Sequence, residues 1–385
     1  MIMIRILFLM FFAFPVMAQD KLEKLPDVET LDINTFVSNA QKIEKTYKED
    51  TSLDFVMEIP KNFIVVANDK LKNNVKGDLL YGEIFNAYGP AIEDVIPYIS
   101  MRSIELKRLI SAKNWFVSEV LNRGYTLRGF ETDDREETFD AFYIRLDNVG
   151  RTEIVRGRGF LNENRLVLVE YVIPTLLWQS DRDVQIFAMK SFEFAKKYKI
   201  SSPEKMMQYT YLDSFYTEFP NSWAFDIDIG DAVNRLDINL KTTDRDRFIF
   251  STADVTVVSS RSLKDRLDKK IYPVGLPDVI KERQSAIALL KYEADNVLER
   301  PKLEVGFETL LNVTEVYPLR KKMSENYVAY GKNPIMREFW MTVIRTPKDN
   351  GKNYVFSMVM PPRGTNIEKW ALSVATYRHM IESLR

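Results

Sequence analysis

The feature that most constrains this chain is that it repeats itself. Glu58-Ile59-Pro60-Lys61-Asn62-Phe63 recurs as Glu218-Phe219-Pro220-Asn221-Ser222-Trp223, each after an apolar run, from Leu53 and from Leu212. Gly129-Phe130-Glu131-Thr132 recurs identically as Gly306-Phe307-Glu308-Thr309. Leu168-Val169-Glu170-Tyr171-Val172-Ile173-Pro174 resembles Val355-Phe356-Ser357-Met358-Val359-Met360-Pro361, and each is followed by a last amphipathic segment ending Ser191-Phe192 or Ser383-Leu384. Three matches in one order imply a duplicated unit. The spacing between matched segments grows along the chain, so longer insertions are expected in the second copy. The expected division is a leader (1–18), an N-terminal extension (19–52), a first domain (53–195), a linker (196–211) and a second domain (212–385).

Each unit reads as α+β, an antiparallel sheet packed with helices. A strand ends at the Pro, which cannot donate to a ladder. In the first copy Leu106, Leu109, Ile110, Val117, Val120 and Leu121 share one helical face, stopped at Asn122-Arg123-Gly124. Val279, Ile280, Ala286, Ile287 and Leu290 form the matching stripe in the second. Strands are expected at Thr138–Leu146, Glu153–Phe160 and Leu166–Ile173, and at Leu303–Val313, Phe339–Arg345 and Tyr354–Met360. Lys348-Asp349-Asn350-Gly351 is a hairpin-turn signal. The closing helices carry stripes at Val184, Phe187, Ala188, Ser191, Phe192 and Ala195, and at Ile367, Trp370, Ala371, Val374, Ile381 and Leu384. Ser180 is the expected N-cap of the first, with Asp181 and Asp183 in its first turn. Asp32–Tyr47 reads as an amphipathic helix with Ile33, Phe36, Val37 and Ala40 on one face. It would cover the first domain or serve as a docking segment. Lys196–Gln208 is polar and contains Pro203, as a linker does.

These features together resemble the PsbP-like fold, an α/β/α sandwich. The resemblance is carried by Glu58–Phe63 with the Val184–Phe192 helix, and by Glu218–Trp223 with the Ile367–Leu384 helix. It would cover about 53–195 and 212–385. It implies non-enzymatic binding or assembly work and hands over no functional residues. The long segment Ala67–Ser100 departs from the pattern.

The first eighteen residues read as a secretory signal. Arg5 precedes the apolar run Ile6–Phe14, and Val16 and Ala18 are the small residues of a cleavage site before Gln19. That run is too short to span a bilayer, and no later stretch is apolar enough. No Cys follows it to be acylated. The expected location is therefore periplasmic or secreted.

Composition removes several chemistries. The chain has 385 residues, no Cys and one His. Thiol catalysis, disulfides, Cys-based zinc or iron–sulfur sites and a His-rich metal site are excluded. Lys and Arg total 54 against 55 Asp and Glu, which argues against broad nucleic-acid binding. There is no Gly-rich phosphate loop. His379 is expected on the solvent side of the last helix, away from any nucleophile. Glu131, Asp133, Asp134, Glu136 and Glu137 form the densest acidic group, expected as a solvated loop. Asp226, Asp228, Asp231 and Asp237 alternate with Ile227 and Ile229 as on a strand with one wet face, and lack the spacing of a calcium loop. Arg156-Gly157-Arg158-Gly159 and Arg320-Lys321-Lys322 are the basic candidates, expected as surface strand and turn residues.

No catalytic, cofactor-binding or metal-ligating residue is therefore assigned, and no cofactor is expected. The expectation is an exported binding or assembly protein of the bacterial envelope that docks a protein or ligand. The alternatives are a hydrolase using paired carboxylates, which leave no sequence motif, and an accessory of an envelope secretion or conjugation apparatus.

Overall fold

The computed structural model describes residues 23–48, 50–66, 72–76, 79–196, 200–211, 215–226, 235–241, 249–259, 308–318, 336–345 and 352–384. Within them the fold is α+β with antiparallel sheets. The first half contains α1 (Ile33–Asn39), β1 (Ala40–Lys45), β2 (Phe55–Pro60), β3 (Ile64–Val66), β4 (Lys72–Lys76), β5 (Leu79–Tyr88), β6 (Tyr98–Glu105) and α2 (Ala112–Arg123). It continues with β7 (Thr126–Thr132), β8 (Thr138–Leu146), β9 (Thr152–Asn162), β10 (Arg165–Pro174), α3 (Trp178–Lys190) and β11 (Glu193–Phe194). The second half contains β12 (Met206–Tyr211), β13 (Phe215–Pro220), β14 (Ala224–Asp226), β15 (Arg235–Lys241) and β16 (Ile249–Ser259). Then come β17 (Glu308–Pro318), β18 (Met336–Arg345), β19 (Lys352–Met360) and α4 (Ile367–Glu382).

The large first sheet runs β3-β5-β6-β10-β9-β8-β7, with β4 also on β5. Its central strand explains the near-continuous apolar run Leu166–Ile173. Both faces of β10 are covered, so alternation is lost. Val167, Val169, Tyr171 and Ile173 point into one core with α1, β2 and α3. Leu166, Leu168 and Val172 point into the other with α2. Gly159 on β9 leaves room for a ring across the strand pair, since a Cβ there would meet Phe139 Cε1 at 2.0 Å. Helix α2 is capped by the Ser111 hydroxyl, which accepts from Asn114 N–H, and stops at Gly124, whose φ of 68° is left-handed.

The second sheet runs β14-β15-β16-β19-β18-β17. Its order repeats that of β3-β5-β6-β10-β9-β8, and α4 follows β19 as α3 follows β10. The helix ends match in detail. Ser191 Oγ accepts from Glu58 N–H at 2.9 Å, and Ser383 Oγ accepts from Glu218 N–H at 2.8 Å. After each strand-ending proline the turn closes alike, with Phe63 N–H donating to Pro60 O and Trp223 N–H to Pro220 O, both at 3.0 Å. The halves meet where α2 faces α4. Ile110 and Val117 pack on the second core, and Arg378 pairs with Glu136 at 3.0 Å.

Several expectations change. The segment Asp32–Tyr47 is a seven-residue helix followed by strand β1, and only Phe36 of the helix is buried; Ile33 and Val37 remain exposed. Leu106, Leu109 and Ile110 precede α2 rather than belonging to it. Ser180 is not a cap. A 3₁₀ turn at Thr175–Leu177 runs straight into α3, which starts at Trp178, so Ser180 lies inside and its hydroxyl donates to Leu177 O. The end of the expected linker is strand β12, paired with β13. The Gly-Phe-Glu-Thr match joins strands of different position. Residues 129–132 lie on β7, three strands from β10, whereas Glu308-Thr309 opens β17, two strands from β19. The leader with its Ala18/Gln19 cleavage site, the Val279–Leu290 stripe, Arg320–Lys322, Lys348–Gly351, Asp228 and Asp231 lie outside the described residues.

Candidate functional site

The site is assembled at the edge of the α3 face by three devices. The first is the turn after β2. Phe63, buried there, meets the ring of Tyr171 edge-on at 5.6 Å between centroids. The second is an anchor for the N-terminal segment. The Asp183 carboxylate on α3 accepts from the backbone N–H groups of Glu29 (3.1 Å), Thr30 (2.8 Å) and Leu31 (2.9 Å), and from the Thr30 hydroxyl (3.0 Å). Burial alone would raise its pKa, but these four donors outweigh it and hold the group at about 2. The segment so fixed leads into Asp32, which caps α1 by accepting from Asn34 and Thr35 N–H. That helix then stacks Phe36 on Phe187 at 5.3 Å. The third device is the β5–β6 connection. Gly89 N–H donates to Pro97 O at 2.8 Å, and Ile92 and Val95 exchange backbone bonds around Glu93 and Asp94, whose φ angles are 48° and 61°. Two consecutive left-handed residues make a tight primed turn, which Asp tolerates better than most side chains.

Between these devices lies a cavity of about 450 Å³. Leu31, Phe36, Phe63, Ile92 and Val184 give it apolar walls, and Pro60, Pro90 and Pro97 stiffen them. Its polar linings are Thr35, Asn39, Lys61, Asn62, Tyr171 and Asp181. Lys61 Nζ donates to Ser38 O at 2.6 Å and Asn39 Nδ2 to Thr35 O at 2.9 Å, each with further N–H donors left over. Tyr171 is fully buried, and its hydroxyl has no hydrogen-bond partner among the described residues. Burial, and then the nearby Asp181 carboxylate, push its pKa well above the ordinary tyrosine value, so it stays a neutral donor. Asp181, in the first turn of α3, makes no hydrogen bond or ion pair among the described residues.

The opposite face of the same sheet holds a charged network, in which Arg102 Nε alone is buried without a partner among the described residues. Glu170 accepts from Arg102 Nη2 at 3.0 Å, from Arg145 Nη1 at 3.1 Å and from the Tyr143 hydroxyl. Arg145 also binds Glu153 at 2.9 Å and the Tyr98 hydroxyl at 2.6 Å. Burial pushes Glu170 up, but the two guanidiniums and Tyr143 hold it below the usual range. A general acid at neutral pH needs the reverse displacement. No described carboxyl group with a displaced pKa is displaced upward.

The residues singled out in the sequence fall elsewhere. Glu136 does not sit in a solvated loop. It turns inward at φ 56°, nearly buried, and takes bonds from Ser111 (3.0 Å), Lys113 (2.7 Å) and Arg378 (3.0 Å). Asp133 accepts from Thr138 N–H. His379 is also turned inward, with Nε2 3.5 Å from Glu218 Oε2, because Tyr216 and Glu218 on β13 lie beneath the end of α4. Burial lowers its pKa, and Glu218 opposes this. Arg156 and Arg158 are structural. Both approach Asp140, and Arg158 Nη1 caps α3 at Met189 O. Asp226 and Asp237 are register partners across β14 and β15. Among the described residues no cluster of His, Cys, Asp and Glu is arranged to hold a metal, and no helix is long and apolar enough to cross a membrane. Tyr171 carried no signal of its own, since it reads as one more apolar position of a buried strand.

No family model matches the chain, and no curated protein does. Among solved structures, the chain is similar to the Ran-binding protein Mog1p of Saccharomyces cerevisiae, at 10% identity over 41% of this chain and 97% of that one, TM-score 0.27. It is similar to cyanobacterial PsbP (CyanoP) of Synechocystis, at 16% identity over 44% and 98%, TM-score 0.28. It is also similar to LpqN of Mycobacterium tuberculosis, described as involved in cell envelope biogenesis, at 10% identity over 42% and 96%, TM-score 0.27. Each likeness covers less than half of this chain.

Proposed function

We propose that this chain is an exported, non-enzymatic binding or assembly protein of the bacterial envelope, made of two copies of one α+β unit. Its first copy holds a ligand or a partner segment in the cavity between α1, α3 and the β5–β6 connection. The observation that carries this reading is the apolar-walled cavity, lined by Tyr171, whose buried hydroxyl has no partner among the described residues. A buried polar group without a partner costs roughly 1–3 kcal/mol, and proteins leave few such groups unexplained. The size also fits, since ligand cavities run from about 300 to 1,000 Å³. The signal-like residues 1–18 support export, and the matched Ser191 and Ser383 contacts support duplication. The binding reading is preferred to the hydrolase one because the displaced carboxyl groups are held ionised rather than protonated.

The test is to recover the full chain from the periplasm of an expressing bacterium and read its bound species by native mass spectrometry. A Val184→Trp variant, which fills the cavity, is run beside it. The expected result is a species carried by the wild type and missing from the variant. Identical recovery from both would overturn the reading, as would substrate turnover abolished by a single Asp or Glu substitution.

A further inference from the structure

We infer that one end of the first sheet is a docking tip for a lipid bilayer with zwitterionic headgroups. The inference goes beyond the cavity reading and does not depend on it. Twelve large apolar side chains stand exposed among the described residues, and five of them, Ile92, Ile96, Leu146, Val149 and Leu176, lie at this one end. The register puts them there. β5 ends at Tyr88, β6 begins at Tyr98, β8 ends at Leu146, β9 begins at Thr152 and β10 ends at Pro174, all on the same side of the sheet's length. The three connections are tied to one another. Arg151 Nη1 donates to Asp94 O at 3.0 Å, and Thr175 Oγ1 to Thr152 O at 2.9 Å. At the opposite end, residues 106–111, 133–137 and 163–164 expose none of the twelve. There the linker is held instead, with Leu109 N–H donating to Glu204 and Ser201 N–H to Glu163 O.

A cluster of exposed apolar side chains marks a protein or a membrane contact, and three observations favour the membrane. The tip residues are all aliphatic, whereas protein hot spots favour Trp, Tyr and Arg and use Leu and Val sparingly. The aromatic residues stand one layer behind. Tyr88 and Tyr98 have their rings 6.0 Å apart, and Trp178 opens α3 two residues after Leu176. Aliphatic side chains ahead and Tyr and Trp behind is the order of a bilayer edge. The turns are also self-contained. Asp147 Oδ1 accepts from Val149 and Arg151 N–H at 2.9 and 2.8 Å, and Gly150 N–H donates to Asp147 O at 3.1 Å. Ile92 and Val95 exchange their own bonds. Backbone that is already bonded enters a medium without hydrogen-bond partners at low cost. Charge then selects the headgroup. The Glu93 and Asp94 carboxylates, consecutive on the tip, make no ion pair among the described residues. They are repelled by an anionic surface and accept from the ammonium of phosphatidylethanolamine.

The test is co-sedimentation of the full chain, recovered from the periplasm, with vesicles of phosphatidylcholine mixed with either phosphatidylethanolamine or phosphatidylglycerol. The wild type is expected to bind the first and to bind the second at least fivefold more weakly. Val149→Asp should weaken binding to the first at least tenfold, the loss of one buried aliphatic side chain. Met207→Asp, at an equally apolar exposed position on β12, should leave it unchanged. Glu93→Gln combined with Asp94→Asn should raise binding to phosphatidylglycerol vesicles about tenfold, a gain that misfolding does not produce. All variants share the wild-type N-terminus, so any contribution of the apolar run at 6–14 is equal in each. The chain has no Cys, so Val149→Cys and Met207→Cys each provide one site for a polarity-sensitive dye. The dye at position 149 should brighten at least twofold on adding phosphatidylethanolamine vesicles, and the dye at position 207 should not change. The inference is overturned if neither vesicle binds, if phosphatidylglycerol vesicles bind the wild type as tightly, or if the dye at position 149 does not respond. A photo-crosslinker at position 149 that captures a periplasmic protein while vesicles stay unbound would overturn it in favour of a protein partner.

Discussion

Two tyrosines in one sheet are buried equally and treated oppositely. Tyr143 on β8 and Tyr171 on β10 are both fully buried, on opposite faces. The Tyr143 hydroxyl donates to Glu170, which two arginines hold in place. The Tyr171 hydroxyl has no partner among the described residues, and the residue lines a cavity. On the α2 face the chain supplies the hydroxyl's partner, although Arg102 Nε in the same network is buried without one. The α3 face is finished only around its edge, where Asp183 straps the N-terminal segment down. Burial alone does not separate a structural residue from a functional one. What separates them is whether the chain supplies the hydrogen bond.

The comparison can be strained from the closed side first. Glu170→Ala removes the acceptor shared by Arg102, Arg145 and Tyr143; Arg145 keeps Glu153, but Arg102 and the Tyr143 hydroxyl lose their partner. It should cost about 3–5 kcal/mol, read from urea unfolding. A loss below about 1 kcal/mol would mean the network is slack and the two faces are alike. Next is the strap. Asp183→Asn should cost about 2 kcal/mol at pH 7, from a carboxyl held at about 2 against an ordinary 3.8. Because the folded-state value is the lower one, this contribution is complete above about pH 5. It fades as the pH falls through 3.8 and is gone below about 2. The wild type and the variant should therefore converge in acid, and a gap independent of pH would show that the carboxylate is not the anchor. Smallest is the pair of helix-end serines. Ser191→Ala and Ser383→Ala should each cost about 1 kcal/mol, and nearly equally, if the halves are copies. Clearly unequal losses would break the equivalence.

Much of this was legible in the sequence. Strand β8 was expected at its observed bounds, and the Gly124 stop and the α4 stripe were readable because periodicity and left-handed caps are local. The Glu58/Glu218 and Ser191/Ser383 matches were visible as segments, and their meaning came from the hydrogen bond that joins each pair. Other features depended on tertiary placement. Asp183 read as an ordinary first-turn acid, because its donors lie more than 150 residues away in the chain. Glu136 read as a loop charge, because Arg378 lies on the other half. Half of the expected N-terminal helix became β1, because β2 offered its edge to pair with, and pairing outweighs weak helical propensity in so short a segment. Tyr171 was illegible in principle. An unfilled hydrogen bond is a property of the space around a residue, not of the residue.

The most direct measurement is the unfolding free energy of Tyr143→Phe and Tyr171→Phe side by side at pH 7, without ligand. Tyr143→Phe should lose about 1–2 kcal/mol, since Glu170 loses a donor. Tyr171→Phe should lose nothing, or gain up to about 1 kcal/mol, since it removes a buried hydroxyl that bonds to nothing. Equal losses from the two would contradict the account, because they would show that the Tyr171 hydroxyl is already partnered.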